Sequence, residues 1–177
     1  MTDVASRPPG IPDDDPARRL TLSDLDSGDL PHVAVVGNVY TILVSGEDTG
    51  GRYCLIDMLV PPGGGPPPHR HDFEEMFTLL EGELEFTFRG GVEQVRANAT
   101  INVPANAPHA FRNASSATAH MLCLCSPAGQ DAFFLEVGDR LPSRTTPPPR
   151  LDDAQKAKRA ARFKALAPKY RTEILAP

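Results

Sequence analysis

No stretch of this 177-residue chain approaches the run of roughly 18 apolar residues that a membrane span needs. The first sixteen residues, Met1 to Pro16, lack both a basic opening and an apolar core, so no secretory leader is expected. The cytoplasm is then the expected compartment, and no membrane partner is expected. Cysteine is scarce: Cys54, Cys123 and Cys125 are an odd set without zinc-type spacing, which reads as reduced thiols. An excess of positive charge is also missing. The net charge is −5, which argues against nucleic acid as a partner. Finally, no internal repeat is visible, which counts against a duplicated, two-domain architecture.

What is present is one domain's worth of chain, long enough to bury its own core without staples. Residues 1–28 are rich in proline and aspartate and read as an extended or disordered lead. From Val33 to Leu141, short apolar stretches alternate with turn residues, the pattern of an all-β sandwich or barrel. Strands are expected over Val33–Val36, Tyr40–Val44, Tyr53–Val60, Met76–Leu80, Leu84–Phe88, Gln94–Ala97, Thr100–Val103, Ala110–Asn113 and His120–Cys125. Turns fall at Gly46 to Gly51, Glu81–Gly82, Gly90–Gly91 and Pro104 to Pro108. Ser126–Pro127 opens a short helix that carries Phe133 and Phe134 and closes near Gly138. Pro142 to Pro149 excludes regular helix and central strand. Asp152 can cap a last helix running to Ala167, before Pro168. The expected division is a lead over 1–28, a β domain over 29–138, and a proline linker with a helix over 139–177.

Charge is spread unevenly. From Arg150 onward there are eight basic and three acidic residues, a local +5 against −10 for the rest. A basic patch for an anionic partner is one reading. The interleaving of Lys156, Lys158, Arg159, Arg162 and Lys164 with alanine favours another, a solvated helix face that packs through Leu151, Phe163 and Leu166.

Two polar clusters carry the chemistry. Gly63 is followed after five residues by His69, Arg70 and His71, then by Glu75 and Gly82. About thirty residues later come Pro104, Asn106, His109 and Asn113. In an extended chain, residues at i, i+2 and i+6 share a face, so His69, His71 and Glu75 should point one way and Glu74 the other. His109 is expected to reach the same point from another strand. Three neutral imidazoles and one carboxylate suit a divalent transition metal. Iron, manganese, nickel, cobalt and zinc all accept such ligands. Four protein ligands leave a position open, as in catalytic rather than sealed structural sites. The competing reading makes these ordinary core or surface histidines. Phe73, Phe77 and Phe111 share the inward parity and are expected to line the substrate pocket, or else to be plain core. Cys123 and Cys125 share a face with Met121 and read as buried thiols or as a thiolate pair. His32 and His120 lie outside the clusters and read as structural.

These residues resemble the cupin superfamily, whose two motifs are G-x5-H-x-H-x3,4-E-x6-G and G-x5-P-x-G-x2-H-x3-N. Gly63, His69, His71, Glu75 and Gly82 match every fixed position of the first. Pro104, His109 and Asn113 match the second, while Asn98 and Asn106 stand where the family has glycine. Asparagine tolerates the left-handed backbone such turns need. The resemblance covers about residues 31–138 and implies a jelly-roll β-barrel with a metal inside and short C-terminal helices. Cupins include dioxygenases, isomerases, lyases, epimerases and binders, so the fold alone does not choose. The full ligand set and the helices after the barrel look like the single-barrel bacterial quercetin 2,3-dioxygenases. That resemblance implies a metal-dependent dioxygenase acting on an enolic or flavonol-like small molecule, with Glu75 both ligand and catalytic base. It also implies a homodimer. The alternatives are an oxygen-independent isomerase or lyase on the same ligands, and a binding module without turnover.

Overall fold

The computed structural model describes residues 10–176. The expected lead falls partly outside them, and its described part, residues 10–28, forms turns without helix or strand. The twelve strands are β1 (His32–Val35), β2 (Asn38–Val44), β3 (Cys54–Val60), β4 (His69–His71), β5 (Glu74–Glu81), β6 (Glu83–Phe88), β7 (Gly91–Arg96), β8 (Thr100–Val103), β9 (His109–Arg112), β10 (Ala119–Ser126), β11 (Asp139–Leu141) and β12 (Thr172–Ile174). The helices are α1 (Gly46–Thr49), α2 (Gln130–Val137) and α3 (Asp153–Leu166), with a 3-10 turn over Ala167–Tyr170.

The strands form two antiparallel sheets. One has seven strands in the order β11-β1-β2-β3-β10-β5-β8, and the other has five in the order β12-β4-β9-β6-β7. Crossing between sheets along the chain, rather than pairing in sequence, is the jelly-roll arrangement the resemblance implies. Period-two alternation decides what lies between the sheets. Ala119, Met121, Cys123 and Cys125 of β10 are buried while the residues between them are half-buried, and Glu75, Phe77 and Leu79 of β5 behave likewise. The five-stranded sheet answers with Leu84, Phe86, Phe111 and the three histidines.

Close backbone approach explains two glycines. A Cβ on Gly65 would meet the Phe111 carbonyl oxygen at 2.0 Å, and Gly82 turns β5 into β6 with φ +81° against Ala119. Asn98 and Asn106, at the two family glycine positions, both adopt left-handed backbone, with φ 72° and 68°. Asn113 is fully buried. Its amide donates to the Val60 and Ala117 carbonyls at 2.8 and 2.7 Å, and its carbonyl accepts from Ser115. It ties the loop after β9 to β3, so its role is structural.

Two features differ from the sequence expectation. The Gly46–Gly51 turn contains the single helical turn α1, opened by a Ser45–Asp48 capping box and closed by Gly50. Residues 139–177, expected as linker and helix, also supply strands β11 and β12, which pair with β1 and β4. Both are three-residue edge strands of mixed polarity, formed because β1 and β4 offer unpaired edges. Helix α3 is capped by Asp152 and Gln155 as expected. It has no buried residue, and Leu151, Phe163 and Leu166 are half-buried.

Candidate metal centre

The centre is assembled from both sheets. His69 and His71 occupy β4, and His109 occupies β9 directly opposite His69 in the ladder. Glu75 comes from the opposing sheet, on β5. The sequence expectation of one continuous strand carrying His69, His71 and Glu75 is therefore corrected. The extended run breaks at Asp72 and Phe73, the chain crosses between sheets, and Glu75 faces the histidines from across the core. Glu74 points outward, where its carboxylate accepts from the Ala105 amide at 3.1 Å.

All four ligand-type side chains are buried, and their ligand atoms lie within 4.8 Å of one another. His71 Nε2 is 3.0 Å and His109 Nε2 3.1 Å from Glu75 Oε2. Every imidazole is oriented through its other nitrogen. The Nδ1–H groups of His69, His71 and His109 donate to the carbonyls of Pro67, Phe73 and Ala107 at 3.0, 2.9 and 2.9 Å. A carbonyl can only accept, so each Nδ1 carries its proton and each Nε2 presents its lone pair inward. That is the ligand-ready tautomer, fixed by backbone partners of the kind that orient metal-bound histidines.

The donor set passes a physical test for a cation. An Nε2 lone pair and a carboxylate oxygen cannot share a 3 Å contact without positive charge between them. Either a proton or a metal ion must bridge them. Ligand atoms about 3 Å apart also match the edges of a coordination shell whose bonds are about 2.1 Å. The electrostatics agree. Burial would raise the Glu75 pKa, but bonds from His109 and His71 outweigh it and hold this carboxyl well below its usual range. Burial lowers the His109 pKa, and the Glu75 carboxylate more than restores it, leaving it raised. Burial and then the charge of His109 push His69 down to about 4, which keeps it neutral.

A small cavity of about 30 Å³ touches the centre, room for about one water or ion. His69, Glu75, Phe77, Phe111, Tyr40, Met58, Cys123 and Phe134 are among its walls. Phe77 and Phe111, placed by parity, thus meet the cavity. Phe73 instead stacks flat on His71 with ring centroids 3.8 Å apart and supports the ligand from behind. Phe134 of α2 packs on Tyr40 at 4.2 Å, and Phe133 packs on Phe163 and Tyr170 of the C-terminal segment.

The sequence reads Cys123 and Cys125 as buried thiols or as a thiolate pair, and the structure sets both behind Glu75. Cys123 donates its S–H to Glu75 Oε1 at 3.3 Å, and Cys125 lies 3.7 Å from the same oxygen. Cys125 is opposite Glu75 on one side of the ladder and Cys54 on the other. The Cys123 pKa is pushed up to about 12, where a thiol bond from Cys125 lowers it but burial and the Glu75 charge win. These are neutral thiols, acting as weak donors to the oxygen that the imidazoles leave free. A second buried carboxylate, Asp57, lies apart from the centre. It accepts from Arg144 at 2.9 Å and from His120, and beside it His32 meets Thr41 at 2.8 Å.

The comparisons agree with this geometry. Residues 56–125 match the cupin domain family. The chain is 26% identical over 133 residues to a quercetin 2,3-dioxygenase of Bacillus subtilis, covering 70% of this chain and 39% of that protein. It therefore spans about two fifths of the relative's length. Among solved structures, the polyketide cyclase RemF from Streptomyces resistomycificus superposes with a TM-score of 0.52 at 23% identity, over 75% of this chain and 88% of that one. An RmlC-like cupin from Shewanella frigidimarina gives a TM-score of 0.52 at 16% identity, over 60% and 91%. These likenesses to structures speak to the fold alone. The domain match, the two facing antiparallel sheets and the buried His-His-Glu-His cluster agree that residues 56–125 carry a cupin domain.

Proposed function

We propose that this protein is a metal-dependent dioxygenase acting on an enolic, flavonol-like small molecule. The observation that carries the reading is the three-imidazole, one-carboxylate set, with all three Nε2 lone pairs fixed inward beside an apolar cavity. The similarity to a quercetin 2,3-dioxygenase supports the reaction class. His69, His71, His109 and Glu75 would hold one divalent transition metal. When bound, that ion would supply Lewis acidity, lowering the pKa of an enolic hydroxyl placed beside it.

The chain's own residues do the rest. The carbonyls of Pro67, Phe73 and Ala107 hold the imidazoles in one tautomer, so no reorganisation is needed when substrate arrives. Glu75 takes the enolic proton on its carboxylate. Phe77, Phe111, Tyr40 and Phe134 exclude water, which keeps the carboxylate poorly solvated and the proton transfer local.

The test is metal analysis of the purified protein, followed by an oxygen-electrode screen of flavonols and β-diketones. Oxygen uptake that follows metal content is the expected result. Turnover without oxygen uptake would replace the dioxygenase by an isomerase or lyase, and tight binding without turnover would leave a binding module. The proposed assembly is a homodimer in which the lead contributes, because Leu20 and Leu22 are 94% and 90% exposed. Light scattering at micromolar concentration should then give twice the 19.1 kDa chain mass, and the monomer mass would reject it.

A further inference from the structure

The cavity at the candidate metal centre has room for about one water or ion, and a larger space lies beside it. A cavity of about 680 Å³ lies between α3, the proline segment and strand β1, within the range of pockets that take small molecules. Val35, Val36 and Phe163 line both spaces. The two spaces are therefore neighbours, divided by these three side chains. Most of its wall is apolar, from strand β1, Val137, the prolines and Ile174.

The charged part of the wall is lopsided. Lys156, Arg159 and Lys164 of α3 line it, against one acid, Asp139. Their spacing puts them along one side of the helix with Ala160 and Phe163. Arg159 is neutralised by a two-point bond to Asp139, at 2.6 and 2.8 Å. Lys156 has only Asp153, fully exposed to water, at 3.1 Å. Lys164 makes no ion pair among the described residues. An apolar space bordered by two weakly committed ammonium groups suits a molecule that is apolar along its length and anionic at one end.

We infer that the space beneath α3 is the outer half of the substrate site, and that it takes an apolar small molecule bearing one carboxylate-type anion. This rests on the metal centre being where reaction occurs. The reacting end passes Phe163 towards His69 and Glu75, the body fills the space against Val35 and Val36, and the anion faces Lys156 and Lys164. Access for the ligand then depends on α3 standing off the barrel, which its lack of any buried residue permits.

The experiment uses binding, so that it stands apart from turnover. Anilinonaphthalene sulfonate, apolar with one sulfonate, is the fluorescent probe. Decanoate and decanol, equal in chain length but not in charge, compete for it. Decanoate should displace the probe at about fivefold lower concentration than decanol, the scale of partly exposed ion pairing. In the K156E/K164E double variant that preference should vanish or invert. A160W, which projects into the space from the wall that α3 forms, should weaken both competitors at least about tenfold. Metal content, measured beside each titration, should stay constant. Equal displacement by decanoate and decanol in the parent protein would overturn the anionic class, and unchanged binding in A160W would overturn the location. If these binding results hold while metal is absent from every preparation, the substrate site survives and the dioxygenase reading fails.

Discussion

The space between the two sheets and the helix that follows them are built on opposite terms. Between the sheets, every polar side chain of the centre is buried and answered: three imidazoles by three carbonyls, and Glu75 by two imidazoles on one oxygen and two thiols on the other. Helix α3 is fourteen residues long and buries none of them. Its ion pairs are solvent-facing and it leaves a cavity beneath itself. A centre that must hold several ligand atoms in register cannot tolerate slack, because the stability of a buried polar network falls with each unmet bond. A wall that selects among small molecules can be loosely attached, and its contacts individually cost little to change.

The sharpest way to break this contrast is at the centre. His109→Ala removes a ligand and the register partner of His69, and metal content should fall from one equivalent per chain to a small fraction. Metal added at a hundred times its dissociation constant should stabilise the parent by about 2.7 kcal/mol, and a chain of this size should gain roughly 5–11 °C in Tm. The variant should show no such gain. Full metal content in His109→Ala would dismiss the assignment. Next is Glu75→Gln, which keeps one acceptor oxygen but loses the base. With metal retained, turnover should fall by about 10²–10⁴-fold, and a variant that keeps its rate would reduce Glu75 to a ligand.

The outer face of the seven-stranded sheet tests whether tight polar packing matters away from the chemistry. Asp57→Ala leaves Arg144 and His120 part-buried without their shared acceptor. A loss of about 2–3 kcal/mol in denaturant unfolding is expected, with metal content unchanged. A cost below about 0.5 kcal/mol would show that the proline segment carrying Arg144 is held loosely on that face. The smallest effect should come from α3 itself. Arg159→Ala breaks the exposed pair with Asp139 and should cost no more than about 1 kcal/mol. A loss comparable to that of Asp57→Ala would erase the distinction between the two regions.

The candidate ligands were legible because their spacing is unusual and imidazole with carboxylate has few uses when buried. His69, His71, Glu75 and His109 were all named from spacing, and the structure brings them together. The reasoning for Glu75 was sound in outcome only. Parity assumed an unbroken strand, whereas the chain changes sheets at Asp72 and Phe73, where no glycine or proline marks the break. Because the inner faces of two packed sheets point at each other, a residue on the opposite sheet still meets the histidines. Phe77 and Phe111 were placed by the same alternation, but Phe73 sits in the break and stacks on His71 instead.

Alternation of apolar residues, turn residues at the strand ends and the Asp152 cap are local properties, so the sequence by itself determined the β architecture, most strand positions, the last helix and the four candidate ligands. Contacts between distant segments are not local. The bond from Cys123 to Glu75, the clamp of Asp57 on Arg144, the short edge strands β11 and β12, and the apolar space beneath α3 each depend on which segments meet. Their energies come from neighbours far away in the chain. Only the tertiary structure decided them.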